Sequence, residues 1–135
     1  MNEGRETVGV IVAHADVAGA LVRAVEGISG IRDALIPLSN RDCTPEELER
    51  RVADSVGPGP AVVFVDLGSG SCAHVGRRVG RRAGDVAVIT GVNLPMLLDF
   101  VFHRDMPLPE LAERLEHKAH SETRVDLFAD GEAVE

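Results

Sequence analysis

Short apolar runs, rich in β-branched residues, alternate along this chain with stretches of helical spacing. The runs are Thr7–Ala13, Ala34–Leu38, Ala61–Val65 and Asp85–Thr90. Continuous apolar runs of this length are typical of strands buried on both faces of a parallel sheet. Because helices separate these strands, the pattern predicts an α/β layered fold with a mostly parallel sheet.

Helix signals fill the connections between these strands. Val17, Leu21 and Val25 recur at four-residue spacing, and Gly27 and Gly30 are expected to end that helix. Thr44-Pro45-Glu46-Glu47 has the pattern of a capping box with proline at the first helical position. Further helices are expected over about residues 71–83, from Leu94 through Phe102, and from Leu108 onward.

Length and composition indicate one domain. The chain has 135 residues, of which 44% are hydrophobic, with four Phe and no Trp or Tyr. The core must therefore consist mainly of Val, Leu, Ile and Ala. A single domain over residues 1–135 is expected, with residues 1–6 and 129–135 as loose tails and Arg124–Phe128 as a fifth strand.

Charge and cysteine content exclude several classes of protein. The net charge of −8 argues against nucleic-acid binding. The only basic cluster, Arg77–Arg82, is either a solvated helix face or a contact surface for an acidic partner. Two cysteines give no disulfide framework, and no signal peptide or membrane-spanning run is visible, so a cytoplasmic location is expected.

Polar residues follow three of the predicted strands. They are His14–Asp16, Asp66–Ser71 and Thr90–Asn93. Ligands of open α/β sheets bind beyond the carboxyl ends of the strands, so these segments are expected to lie near one another.

His14 is the leading candidate for chemistry, because it stands between a strand and a helix. A phosphoryl group on its ring would face the free N–H groups of a helix N-terminus. Asp66 could accept the other ring N–H and fix the tautomer, or it could simply cap the following loop. Gly68-Ser69-Gly70-Ser71 could contact phosphate.

Other potential sites are weaker. The chain has neither a dinucleotide fingerprint nor a phosphate-binding loop with its lysine, so no cofactor, nucleotide or required metal is expected. His117 and His120 are expected to lie on a solvated face. Cys72 lies near a helix start, where a thiol pKa can fall, but it has no evident partner, and His74 receives no role.

Three segments together resemble the IIA component of the mannose-type sugar phosphotransferase system. They are Val8–Ala20 (VGVIVAHADVAGA), Val62–Ser71 (VVFVDLGSGS) and Gly91–Met96 (GVNLPM), the last being the most specific. The resemblance covers nearly the whole chain. It implies a three-layer sandwich whose four-stranded sheet has the order 2-1-3-4. It also implies an added antiparallel strand, with Arg124–Phe128 as the candidate, exchanged between the subunits of a homodimer.

The resemblance also implies a function as a phosphotransferase. His14 would accept a phosphoryl group from HPr and pass it to a IIB domain, with peripheral association with a membrane permease. Asp66 matches the carboxylate that orients the active histidine. Gly70 and Ser71, with Ser69 beside them, match the segment that holds the phosphate.

Two departures from the family pattern leave alternatives open. Ala15 replaces the usual Gly after the active histidine, and Ser69–His74 (SGSCAH) replaces a Gly-Gly-Ser-Pro-x-Asn segment. A regulatory module, whose phosphorylation controls a partner without sugar transport, is the first alternative. A receiver-like domain phosphorylated on Asp66 lacks the acidic pair for magnesium, and a dihydroxyacetone-kinase phosphocarrier subunit fits Gly91–Met96 less well.

Overall fold

A four-stranded parallel sheet lies between two layers of helices in the computed structural model, which describes residues 6–134. The strands are β1 Val8–Ala13, β2 Leu35–Ser39, β3 Ala61–Val65 and β4 Val86–Thr90. The helices are α1 Val17–Ser29, α2 Pro45–Val56, α3 Ser71–Ala83, α4 Leu94–Val101 and α5 Leu108–Ser121. The strand order β2-β1-β3-β4 confirms the order 2-1-3-4. Over the described part of the chain, every helix is too short or too polar to cross a bilayer.

The sheet separates two apolar cores, because successive side chains of a strand point to opposite faces. Ile11 of β1 packs in the core with residues of α1, α4 and α5. Val12, next in sequence, packs in the core with residues of α2 and α3. Phe64 and Phe100 meet edge to face with ring centroids 5.3 Å apart in the first core. The remaining core side chains are mostly aliphatic, as the composition predicts.

Helix ends follow the local sequence signals, with one exception. The Thr44 hydroxyl accepts the Glu47 N–H at 3.1 Å, and the Glu47 carboxylate accepts the Thr44 N–H at 2.9 Å, which confirms the capping box. Gly30 ends α1 in a left-handed conformation, with φ 75°. The expectation for Gly27 is wrong, because it lies inside α1. A glycine weakens a helix without necessarily ending it, and here the Ser29 hydroxyl donates to the Val25 carbonyl at 2.7 Å beyond Gly27.

The carboxyl-terminal segment differs from the prediction. Strand β5, Leu127–Ala129, begins later than the predicted Arg124–Phe128 strand and pairs antiparallel with β6, Glu132–Val134, instead of joining the four-stranded sheet. Part of the expected loose tail is therefore a strand. The cause is local: Asp130 and Gly131 both have positive φ, the signature of a two-residue hairpin turn favoured by Asp-Gly. Of the expected loose segments, residues 1–5 and 135 lie outside the described residues.

Gly9 of β1 permits close packing at the centre of the sheet. A Cβ atom at this position would lie 2.5 Å from Cε2 of Phe100 and 2.7 Å from Cδ2 of Leu35, both buried side chains. We therefore expect Gly9→Ala to lower the free energy of unfolding by about 1–3 kcal/mol through overpacking. Urea unfolding followed by circular dichroism measures this.

Gly27→Ala is the matched control, because Gly27 is exposed within α1 and a Cβ there meets nothing within 4 Å. Its higher helix propensity should raise the free energy of unfolding by about 0.5–1 kcal/mol. Equal effects of the two substitutions would contradict the packing described at Gly9.

Candidate functional site

His14 and Asp66 lie side by side because β1 and β3 are neighbouring parallel strands. Their register pairs Val12 with Val65, so the residues that follow the two strands leave the sheet together. The His14 backbone N–H donates to Oδ2 of Asp66 at 3.0 Å. The ring Nδ1 of His14 lies 2.9 Å from Oδ2 and 3.2 Å from Oδ1 of the same carboxylate. One carboxylate thus holds both the backbone and the ring of His14.

Ionisation of Asp66 determines the state of the imidazole. Burial raises the pKa of Asp66, but the hydrogen bonds from the backbone and ring of His14 outweigh it, and the pKa lies below its ordinary value of 3.8. An ionised carboxylate only accepts hydrogen bonds, so Nδ1 carries the hydrogen and the lone pair of the neutral ring is on Nε2. The side chain of His14 is 38% exposed, against 14% for Asp66. The ring is therefore accessible while its orienting partner is largely covered.

A strained residue follows the histidine. Ala15 has φ 51°, in the left-handed region that costs a non-glycine residue about 1–2 kcal/mol. Its N–H donates to Oδ1 of Asn40 at 3.3 Å, and its carbonyl accepts the Ser39 hydroxyl at 2.8 Å. These contacts from the end of β2 hold the turn. Glycine would adopt this φ without that cost, so Ala15 depends on these contacts.

Sequence reasoning missed Ser39 and Asn40. Both are polar residues at the carboxyl end of β2, which is the position that singled out His14 and Asp66 on the neighbouring strands. Their position after a strand could therefore have identified them. The predicted strand ended at Leu38, one residue before the observed end of β2, so Ser39 and Asn40 were not recognised as residues at a strand end.

The amino terminus of α3 lies beside the imidazole. Cys72, the second residue of α3, offers its Sγ within 4.8 Å of ligand atoms on His14 and Asp66. Ser69, Gly70 and Ser71, the predicted phosphate contacts, immediately precede Cys72 and are exposed. Neither α1 nor α3, the two helices that begin at the site, has a side-chain cap. Thr44 caps α2 and Asn93 caps α4, whereas α5 also begins without a side-chain cap. The free N–H groups where α1 and α3 begin suit an anion.

Cys72 differs from the sequence-based expectation. Its side chain is buried, and this burial raises the pKa of the thiol, with the nearby Asp66 carboxylate adding to the effect. The lowered thiol pKa considered for a helix start is therefore wrong for Cys72. Desolvation and a neighbouring negative charge both favour the neutral thiol over the thiolate.

The third predicted segment is only partly at the site. Thr90 is close to the loop after β3, since a Cβ on Gly68 would lie 3.7 Å from its hydroxyl. Asn93 points elsewhere: its Oδ1 accepts the Met96 N–H at 3.1 Å, and its Nδ2 lies 3.4 Å from the Ala119 carbonyl. Asn93 therefore positions α4 against α5.

The basic cluster is partly neutralised within the molecule. Arg78 and Arg82 of α3 each form a 2.8 Å ion pair with Glu49 of α2. Arg77 donates to the Gly68 carbonyl at 3.2 Å and so ties down the loop after β3. These contacts join α2, α3 and the site loop. His117 and His120 are exposed on α5, and His74 is exposed on α3.

Comparison with known proteins agrees with the fold. The family described as PTS system fructose IIA component matches residues 9–117. No curated protein sequence matches the chain. Among solved structures, phosphotransferase system component EIIA from Streptococcus agalactiae aligns with TM-score 0.81 and 20% identity over 87% of this chain and 95% of that chain. The mannose/sorbose-specific IIA subunit from Enterococcus faecalis aligns with TM-score 0.77 and 20% identity over 92% and 98%.

A third solved structure of similar fold is not named as a phosphotransferase component. A sigma-54 interaction domain protein from Enterococcus faecalis aligns with TM-score 0.71 and 12% identity over 86% of this chain and 92% of that chain. At these identities, the three structures show that the fold is shared.

The lowered pKa of Asp66 makes the contribution of this residue to stability depend on pH. The ionised carboxylate stabilises the folded state above its ordinary pKa of 3.8, and this stabilisation is lost as the pH falls through the lowered value. We expect Asp66→Asn to reduce the free energy of unfolding by about 1–2 kcal/mol near neutral pH, because charged hydrogen bonds are lost. The difference from wild type should shrink below about pH 4.

Urea unfolding at several pH values measures this difference. Asp54→Asn is the control, since Asp54 is exposed on α2 and its substitution should change stability little. A deficit of Asp66→Asn that stays constant down to pH 2 would contradict the proposed hydrogen bonding.

Proposed function

The chain belongs to the family of PTS fructose IIA components, and we propose that it is a phosphohistidine carrier in which His14 accepts a phosphoryl group from an HPr-type phosphocarrier. Proteins of this family are components of the sugar phosphotransferase system. The observation that carries the proposal is the 2.9 Å contact between Nδ1 of His14 and Asp66, on a ring that is 38% exposed. It orients Nε2 as the nucleophile. The carrier domain would comprise the whole chain, residues 1–135.

The transfer is an in-line displacement between two imidazoles. The Nε2 lone pair of neutral His14 forms a bond to phosphorus as the bond from phosphorus to the donor's ring nitrogen breaks. The electron pair of the broken bond stays on the donor ring. The phosphorylated His14 ring then carries positive charge, which the Asp66 carboxylate stabilises through the Nδ1 hydrogen. Positioning and electrostatics supply most of the catalysis, and the step needs no cofactor.

The oxygens of the phosphoryl group need hydrogen-bond donors. The first N–H groups of α3 supply them in this proposal, since that helix begins beside His14 and has no side-chain cap. Ser69, Gly70 and Ser71 are exposed immediately before and at the start of α3. Preorganised N–H groups stabilise developing negative charge because they do not have to reorient during the reaction.

The surface around the imidazole suits a protein partner. Val17 follows the His14 turn and is 40% exposed, and Leu67 follows Asp66 and is 55% exposed. Exposed apolar side chains that flank a reactive group favour contact with another protein. HPr would dock here to donate the phosphoryl group, and a IIB domain would dock here to receive it. The carrier would act in the cytoplasm, in peripheral association with a sugar permease.

A regulatory role is the second candidate. The segment Ser69–His74, which includes the first turn of α3, departs from the family pattern beside the proposed phosphate site. One protein of similar fold is a sigma-54 interaction domain protein. In this version, His14 is phosphorylated in the same way, and the phosphorylation state controls a partner without sugar transport.

A homodimer is the assembly that we propose. Strand β4 pairs only with β3 among the described strands, and a groove of about 780 Å³ runs between β4 and α5. The β5–β6 hairpin exposes Leu127 and Phe128 by 62% and 63%. An exposed strand edge and an exposed apolar strand are each unfavourable alone. Exchange of the carboxyl-terminal segment between subunits would cover both.

We expect His14→Gln to abolish labelling by phospho-HPr, because the acceptor nitrogen is absent. Asp66→Asn should slow labelling by about 10²–10⁴-fold, since an amide that donates to Nδ1 favours the tautomer with hydrogen on Nε2. His117→Gln on α5 is the control and should label normally. Transfer of radioactive phosphate from HPr, followed by gel analysis, measures the rates.

The stability of the label adds a chemical control. A phosphohistidine is lost in acid, whereas an aspartyl phosphate on Asp66 would be lost in base or hydroxylamine. Undiminished, acid-stable labelling of His14→Gln would overturn the proposal. Onward transfer to purified IIB domains then separates the two candidates: transfer supports the sugar-uptake carrier, and labelling without transfer to any of them supports the regulatory module.

For the dimer, we expect wild-type protein to have twice the monomer mass by light scattering after gel filtration. The double substitution Leu127→Asp with Phe128→Asp should give monomers, because adjacent strand residues face opposite sides and one of them must face the groove. Ile28→Asp is the matched control, since Ile28 is 63% exposed on α1. A monomeric wild type would contradict the proposal.

A further inference from the structure

Cys72 brings a third kind of donor atom to the His14–Asp66 pair. One donor atom from each of the three residues lies within 4.8 Å of the other two. The cysteine is fully buried, whereas the other two side chains are 38% and 14% exposed. The three therefore form a cluster that is closed on the protein side and open to solvent on the histidine side. The proposed phosphoryl transfer assigns no role to the sulfur.

The chemistry of this donor set is selective. Imidazole nitrogen, thiolate sulfur and carboxylate oxygen are the ligands that Zn²⁺ takes in proteins, whereas Mg²⁺ and Ca²⁺ prefer oxygen alone. Ligand atoms around a tetrahedral zinc ion are separated by about 3.5 Å, given bond lengths of about 2.0–2.3 Å. The three donor atoms lie up to 4.8 Å apart. Side-chain movements of about 1 Å would therefore bring them to the separations found around zinc.

We propose that His14, Asp66 and Cys72 form a three-ligand site for a zinc ion, and that the bound ion prevents His14 from accepting a phosphoryl group. The thiol of Cys72 loses its proton to solvent as the sulfur–zinc bond forms. Three protein ligands leave a fourth position for water. Metal binding itself does not depend on the proposed function, whereas inhibition rests on it.

Coordination through either ring nitrogen has the same consequence. An ion on Nε2 occupies the lone pair that would attack phosphorus. An ion on Nδ1, which now lies 2.9 Å from Oδ2 of Asp66, takes the lone pair of that nitrogen. The ring hydrogen then moves from Nδ1 to Nε2, so Nε2 has no lone pair left to attack phosphorus. In both cases the nucleophile is lost until the ion leaves.

The chain provides a matched control for the thiol. Cys43 is the second free cysteine, is half-buried, and packs against the same apolar cluster as Cys72. Its sulfur lies 3.7 Å from the Ser39 carbonyl, and it is not a member of the donor set. A free cysteine that only fills space behaves as a small apolar side chain. Substituting each cysteine in turn separates coordination from packing.

Cobalt is the spectroscopic probe, since Co²⁺ occupies zinc sites and a thiolate ligand gives it a charge-transfer absorption. We expect wild-type protein to bind one Co²⁺ with this absorption, and Zn²⁺ to displace it. Cys72→Ser should abolish the absorption and weaken Zn²⁺ binding by more than about 10-fold. Cys43→Ser should retain both properties. A wild type without the absorption, or an absorption that depends on Cys43, would overturn the site.

Two further measurements keep the proposal testable. If Cys72→Ser fails to fold by circular dichroism, His14→Gln replaces it, since His14 is partly exposed, and it should also weaken Zn²⁺ binding more than about 10-fold. Equimolar Zn²⁺ should stop the labelling of wild type by phospho-HPr, whereas Cys72→Ser should still be labelled in its presence. Zinc binding without loss of labelling would overturn the inhibition. Absence of labelling in metal-free wild type would instead refute the proposed function, and the cobalt spectrum would still decide the site.

Discussion

The parallel pairing of β1 with β3 is the constraint on which the site depends. Residues of the two strands pair in register from Val8 with Ala61 to Val12 with Val65. Only with this register do His14 and Asp66 leave the sheet at the same level. The carboxylate can then hold the ring through Nδ1 and the backbone through its N–H. The apolar side chains of these strands fill both cores. The burial of apolar surface that stabilises the sheet therefore also holds His14 and Asp66 next to each other.

The site combines several features that are locally unfavourable. Ala15 has a left-handed backbone, two helices begin without side-chain caps, and a carboxylate is largely buried beside an imidazole. Each has a compensating contact or a use. Asn40 and Ser39 hold Ala15, and the uncapped N–H groups can face an anion. Elsewhere such features occur singly, as the positive φ of Asp33 and the uncapped start of α5. The site is therefore distinguished by the combination of these features around one imidazole.

Most elements could be predicted from local pattern, and the errors have specific causes. The bounds of β3 and α3 agree with the prediction, because Pro60 and Asp66 flank β3 and Gly70 and Gly84 flank α3. The expectation that Gly27 ends α1 is wrong because the helix continues to Ser29, whose hydroxyl donates to the Val25 carbonyl at 2.7 Å. The carboxyl-terminal hairpin was missed because the Asp130-Gly131 signal lay in an expected tail. Of the site, His14 and Asp66 could be proposed from their places after strands, whereas the supporting Ser39 and Asn40 were hidden by an early strand end.

The sequence by itself determined the layered α/β architecture, the helix caps and the position of a histidine at the end of a strand. These depend on residues close together in the chain, through apolar periodicity, capping chemistry and turn residues. Only the tertiary structure decided that Asn40 supports Ala15, that Glu49 pairs with Arg78 and Arg82, and that the sulfur of Cys72 lies beside His14 and Asp66. The physical reason is that strand order and register, which no local pattern encodes, determine which side chains from distant segments share one edge of the sheet.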